Sequence, residues 1–226
     1  MKADFAQAHE FTAHWEGGLS DNPADPGGLT NHGISLRWVQ SLVGLARKEC
    51  LAVARSCDGC PDKNSPRCRA VQEYDLDMDG DVDAEDIRRC TKAEAARLFK
   101  KHFWDALHCQ KLPAPLALVL YDSAVNLGAP RATSLLQQSC NAVGEALLDN
   151  FTPIAEDGCL GMRTRELAQA LDEANLASYT ARRLVHLREK FYQRLASSRP
   201  SMSVFLQGWR KRCHALLDYV AQKERE

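Results

Sequence analysis

The chain has 226 residues, 45% hydrophobic and 26% charged, the proportions of an ordinary globular protein and too apolar for a disordered one. Its 29 Lys and Arg nearly balance 30 Asp and Glu, for a net charge of −1, so global charge offers no argument for nucleic acid or anionic lipid as a partner. The most apolar stretch, residues 112–125, is short and holds two prolines and an aspartate, which excludes stable membrane insertion as an expectation.

Residues 4–16 predict a helix, with Phe5, Ala8, Phe11, Thr12 and Trp15 at helical spacing. Gly17-Gly18 ends it, and Ser20 to Gly28 is so rich in turn formers that an irregular loop or very short hairpin is expected. Residues 34–45 resume a helical pattern with Ser35 as cap. Residues 47–90 read as an insertion, because cysteines and acids replace large apolar residues there. Thr91-Lys92-Ala93-Glu94 is a capping box that opens a helix to about Trp104. Further helices are predicted over 113–126, 131–143, 163–171, 175–196 and 202–223, with breaks at Gly128-Ala129-Pro130 and Asp157-Gly158. In the last helix, Phe205, Leu206, Trp209, Cys213, Leu216, Leu217 and Val220 form one apolar stripe, expected to be buried. No run reads as a strong strand and none repeats, so the fold class is mostly α. Residues 178–226 hold eleven Lys or Arg against four Asp or Glu, a basic end that suits an anionic partner or a solvated helical face.

Glu16 stands beside Trp15 and before two glycines. A carboxylic acid packed against an aromatic is held protonated by poor hydration, as a general acid at a glycosidic oxygen requires. Glycines leave room for a bulky sugar chain. Asp25 and Thr30 follow on the loop, a second carboxylate to activate water and a hydroxyl to hold it in line. Taken alone, these residues also fit a helix-end charge and a turn.

The run from Glu16-Gly17-Gly18 through Asp21-Asn22-Pro23-Ala24-Asp25-Pro26-Gly27-Gly28-Leu29-Thr30-Asn31-His32-Gly33-Ile34 resembles the signature of glycoside hydrolase family 108. His102-Phe103-Trp104-Asp105, Tyr121-Asp122-Ser123-Ala124-Val125-Asn126-Leu127-Gly128 and Phe205-Leu206-Gln207-Gly208-Trp209 resemble its later segments. Asp157-Gly158-Cys159-Leu160-Gly161 resembles the start of a peptidoglycan-binding-like helical part. The resemblance implies a lysozyme-like α-helical N-acetylmuramidase of phage or endolysin type, with Glu16 as general acid and Asp25 and Thr30 as softer carry-overs. Asp21 rivals Asp25 for the second role. Asn126, Tyr121 and Trp15 are candidate sugar contacts, with core roles as the competing reading for both aromatics. The implied organisation is a catalytic region over residues 1–110, interrupted by the insertion at 47–90, and a helical region over 111–226. The expected partner is peptidoglycan, acted on by a monomer.

Within the insertion, Asp75, Asp77, Asp79, Asp81, Asp83 and Asp86 occupy the ligand positions of a twelve-residue calcium loop, with Gly80 at its sharp turn. Six like charges in one loop are costly without a cation, and the loop resembles those of dockerins, so structural Ca²⁺ is expected. Cys50, Cys57, Cys60 and Cys68 admit a Zn²⁺ site, disulfides or free thiols. Met1 to Glu10 lacks the apolar core of a secretory signal, so the expectation is synthesis in the cytoplasm and action in the periplasm or on the wall after release by another route. Rival readings are a lytic transglycosylase or chitinase, which also need an acid, and a calcium-stabilised wall-binding module, which needs none.

Overall fold

A computed structural model describes residues 3–21, 28–53 and 65–225. Its helices begin where capping chemistry permits. Ser65 accepts the Cys68 N–H to open α3 (Pro66–Tyr74), and Asp83 forms a capping box with Asp86 to open α4 (Ala84–Arg89). The Thr91 box forms as predicted: the Glu94 N–H reaches Thr91 Oγ1 at 3.2 Å, and Glu94 Oε2 accepts the Thr91 N–H at 2.7 Å. That box opens α5 (Lys92–Phe99), which continues as a π-helix over Lys100–Asp105.

The first predicted helix is α1 (Phe5–Trp15), and α2 (Leu36–Val53) begins where expected but runs further into the insertion. The described residues hold no long strand, as expected, but residues 30–35 form a short hairpin that the sequence reading did not place. β1 (Thr30–Asn31) pairs antiparallel with β2 (Ile34–Ser35), and Ser20 adds an isolated bridge to Thr30. The turn between them places His32 at φ 48° and Gly33 at φ 80°. Both central residues are thus left-handed, as a tight hairpin of right-handed twist requires.

The remaining helices are α6 (Ala114–Leu127), α7 (Ala129–Leu147), α8 (Met162–Glu173), α9 (Ala177–Ser198) and α10 (Ser203–Lys223). Gly128 at φ 82° separates α6 from α7. The mostly-α fold class holds, with the hairpin as the exception among the described residues.

The chain divides into two compact units, Ala13–Leu98 and Met1–Thr12 with Phe99–Glu226. The first packs Ile34, Val39, Tyr74, Ile87, Ala95 and Leu98. The second has α6 at its centre: Leu116 to Ala124 are all buried, against α7 and α9. At its heart lies Asp122, with no exposed surface, bonded to Arg188 Nη1 at 2.5 Å, Arg212 Nη2 at 2.7 Å and Thr12 Oγ1 at 3.1 Å. Burial opposes its charge, but the two guanidiniums outweigh burial and hold the carboxyl below the usual carboxylate range.

The predicted stripe of α10 is only half a core. Cys213, Leu216 and Val220 are buried, whereas Phe205 is 53% exposed and Leu206, Trp209 and Leu217 are partly exposed. Helical periodicity identified the face, but packing partners cover only its C-terminal turns.

Candidate active site

Glu16 follows the last residue of α1 and is half-buried. Among the described residues, a Cβ placed on Gly17 or Gly18 would meet nothing within 4 Å. Neither glycine has a positive φ, so neither crowding by the described residues nor left-handed backbone demands them. Trp15 is half-buried and meets His14 edge-on at 5.6 Å.

The hairpin then returns toward this turn. Ser20 and Thr30 exchange two backbone hydrogen bonds, of 2.8 and 2.9 Å, so Thr30 is tied to the segment four residues beyond Glu16. The Thr30 hydroxyl donates to the Gly28 carbonyl at 3.2 Å, which leaves its lone pairs for a water. Asn31, one residue on, is buried and donates to the carbonyls of Ile87 at 3.0 Å and Cys90 at 3.1 Å. Both carbonyls lie at the C-terminal end of α4, where the Ile87 oxygen also accepts the Cys90 N–H at 3.3 Å, so the hairpin is pinned by a side chain that sequence reasoning passed over. Asp25 lies outside the described residues. Asp21 is exposed and forms an ion pair with Arg88 at 3.8 Å.

In the second unit, Tyr121 is fully buried, stands among the rings of Phe5, His9 and Trp104, and bonds His9 Nδ1 at 2.9 Å. It belongs to the core and does not face a sugar. Burial also pushes the His9 imidazole down. Asp122 and Asn126 stand four residues apart on α6, yet Asp122 is sealed by its arginines while Asn126 is exposed. The Asn126 carbonyl oxygen accepts from the Tyr192 hydroxyl, which itself accepts from Arg188 Nε at 2.8 Å. That chain fixes the amide with its NH₂ as the free end.

The acidic loop joins α3 to α4. Asp75 accepts the N–H groups of Asp79 and Gly80 at 3.1 and 2.9 Å, and Gly80 takes φ 99° at the turn. Buried Asp86 accepts from Leu76, Asp77 and Asp83. Two carboxylate triads share Asp86: Asp75 and Asp77 with it, and Asp81 and Asp83 with it, each with oxygens within 4.8 Å of one another. Asp79 joins neither triad; its carboxylate accepts the Asp81 N–H at 3.1 Å. Asp79 and its neighbours push the Asp81 carboxyl up, and loss of hydration with the charges of Asp79 and Asp86 does the same at Asp77. Of the cysteines in the insertion, Cys57, Cys60 and the side chain of Cys50 lie outside the described residues. Cys68 sits half-buried in the first turn of α3.

Comparison with known proteins agrees with this geometry. The model of the family described as Glycosyl hydrolase 108 matches residues 9–128, and that described as Predicted Peptidoglycan domain matches residues 132–214. The first spans Glu16, the hairpin and the acidic loop, and the chain is a glycoside hydrolase acting on peptidoglycan. The chain belongs to the glycosyl hydrolase 108 family. Among solved structures it is similar to one titled "Structure of Brucella abortus SagA", with a TM-score of 0.66 and 21% identity over 98% of this chain and 96% of the other. That likeness shows a shared fold. No curated protein sequence matches the chain.

Proposed function

We propose that this chain is an N-acetylmuramidase that hydrolyses the β-1,4 bond between N-acetylmuramic acid and N-acetylglucosamine, with Glu16 as general acid. The observation that carries this reading is the position of Glu16: a half-buried residue at the end of α1, beside two glycines that no described residue crowds and a hairpin tied back at Ser20 and Thr30. A general acid at this place must donate its proton to the leaving oxygen. Thr30 would hold a water for which Asp25 is the base, giving inversion.

The test is a digest of purified peptidoglycan by wild type and Glu16→Gln, with products reduced and identified by mass spectrometry. Reducing-end muramic acid from wild type, lost in the variant, supports the reading. Anhydromuramic ends would replace it with a lytic transglycosylase. Reducing-end glucosamine would mean a different bond, and no fragments from either protein would leave a wall-binding module.

The acidic loop is proposed as a structural Ca²⁺ site, on the observation that two carboxylate triads converge on buried Asp86. Hard oxygen donors at this density suit calcium, and the ion would join α3 to α4 without taking part in the chemistry. Titration by calorimetry of chelator-treated protein checks this; no heat of binding at millimolar calcium would exclude it. We place the site of action at the cell wall, and the working form is proposed to be a monomer.

A further inference from the structure

The N-terminal half of α10 carries an aromatic surface that the core does not use. Val204 is 75% exposed and Phe205 53%, and Phe205 lies 5.7 Å from the half-exposed Trp209 ring. Trp209 in turn stacks on buried Tyr192, at 4.7 Å and 18°. Tyr192 accepts from Arg188 behind it and donates a hydrogen bond to the carbonyl oxygen of exposed Asn126. Beside Tyr192 stands Phe191, with the exposed Arg131 guanidinium 5.2 Å from its ring centre. The surface is thus mounted on a rigid buried network, while its outer rings have no covering element among the described residues.

Gly208 supplies a second, independent observation. It sits inside α10, where glycine is the poorest residue after proline, at φ below zero and with no described residue within 4 Å of a Cβ placed on it. Neither backbone nor packing calls for it. It lies one turn from Val204 and three residues from Phe205, so its bare backbone widens the space over the rings.

Resting on the muramidase reading, we propose that Phe205, Gly208, Trp209 and Asn126 form a platform for the glycan strand of peptidoglycan, apart from the reaction itself. Flat rings match the C–H faces of pyranoses, and the free NH₂ of Asn126 matches an acetamido carbonyl. Arg131 and, on the exposed face of α9, Lys190 and Arg194 complement the carboxylates of the strand's lactyl and peptide groups; the acid of that helix, Glu189, is held by Arg210 at 3.0 Å. A lipid surface would match the apolar residues but not the amide.

The experiment measures retention on purified sacculi, with the full chain carrying Glu16→Gln so that the polymer survives. Adding Phe205→Ala or Trp209→Ala is expected to weaken binding about tenfold. Gly208→Leu is expected to weaken it similarly while raising the melting temperature, which a purely structural role could not produce. Wild-type retention in Phe205→Ala and Gly208→Leu, with muropeptides still released by the unsubstituted enzyme, would overturn the platform and leave the muramidase. No release and no retention would overturn both. Binding to phosphatidylglycerol vesicles that is lost in Phe205→Ala, with sacculus binding intact, would assign the surface to membrane instead.

Discussion

The Asp122 carboxylate meets the Arg188 guanidinium at 2.5 Å, with neither side chain exposed, and Arg212 completes a cluster of one acid and two bases. Removing a charge from such a cluster leaves the others buried and uncompensated, which costs far more than the pair contributes when intact. Asp122→Ala is therefore expected to lower stability by about 3–5 kcal/mol, read as a shift in the denaturant midpoint at pH 7.

The same cluster sets an acid limit. Asp122 titrates below the usual carboxylate range when folded and near 3.9 when unfolded. Its contribution is complete above the unfolded value and is lost as pH falls from there through the folded value. Melting temperature against pH should fall more steeply below about pH 4 in wild type than in Asp122→Asn. Parallel curves would show that other groups govern the acid limit.

Gly158 occupies φ 75°, and a Cβ there would stand 2.7 Å from the Pro130 carbonyl oxygen. Its N–H is bonded to Gln137 Oε1 at 2.9 Å, and Gln137 also donates to Asp157 and to the Cys159 carbonyl. Gly158→Ala meets both a disfavoured backbone and a backbone clash, so a loss of about 2 kcal/mol or more is expected. Thermal unfolding measures it.

Asn31 fastens the hairpin to the end of α4 through one side chain. Asn31→Ala removes both bonds, although the Ile87 oxygen keeps the Cys90 N–H, with an expected cost of about 1–2 kcal/mol. Hydrogen exchange should show residues 29–36 opening more often, and release of fragments from peptidoglycan should fall with it, because Thr30 loses its support.

Calcium bound to the folded loop and not to the unfolded chain stabilises by about 2.7 kcal/mol at one hundred times its dissociation constant. The melting temperature is expected to rise with millimolar calcium in wild type and not in Asp75→Ala/Asp77→Ala. An equal rise in both proteins would place the effect elsewhere.

Burial pushes the thiols of Cys140 and Cys213 up, to about 12 and about 11, whereas Cys159 lies exposed on a turn. A thiol reagent at pH 8 should label Cys159 in the folded protein and reach Cys140 and Cys213 only with denaturant. Mass spectrometry of the labelled peptides distinguishes them.

Local chemistry made much of this legible from residues alone. The capping box at Thr91, the glycine breaks at Gly17 and Gly128, and the periodicity of residues 4–16 each act within a few residues, and the structure contains all of them. Gly80 and the spacing of Asp75, Asp77 and Asp86 set the course of the acidic loop in the same way. The hairpin at residues 30–35 escaped because two-residue strands carry no alternation; only His32-Gly33, a pair suited to left-handed backbone, marked it.

Sequence by itself therefore determined the mostly helical class, the helix order, and the placing of Glu16 before two glycines, because these follow from backbone preferences and short-range spacing. Tertiary structure decided which side of each pattern is covered. It sealed Asp122 and Tyr121 inside and left Asn126 outside, although one helical run carries all three. It buried the end of the α10 stripe and exposed its beginning. Periodicity reports that a face is apolar, but whether another element lies against it depends on residues far away in the chain.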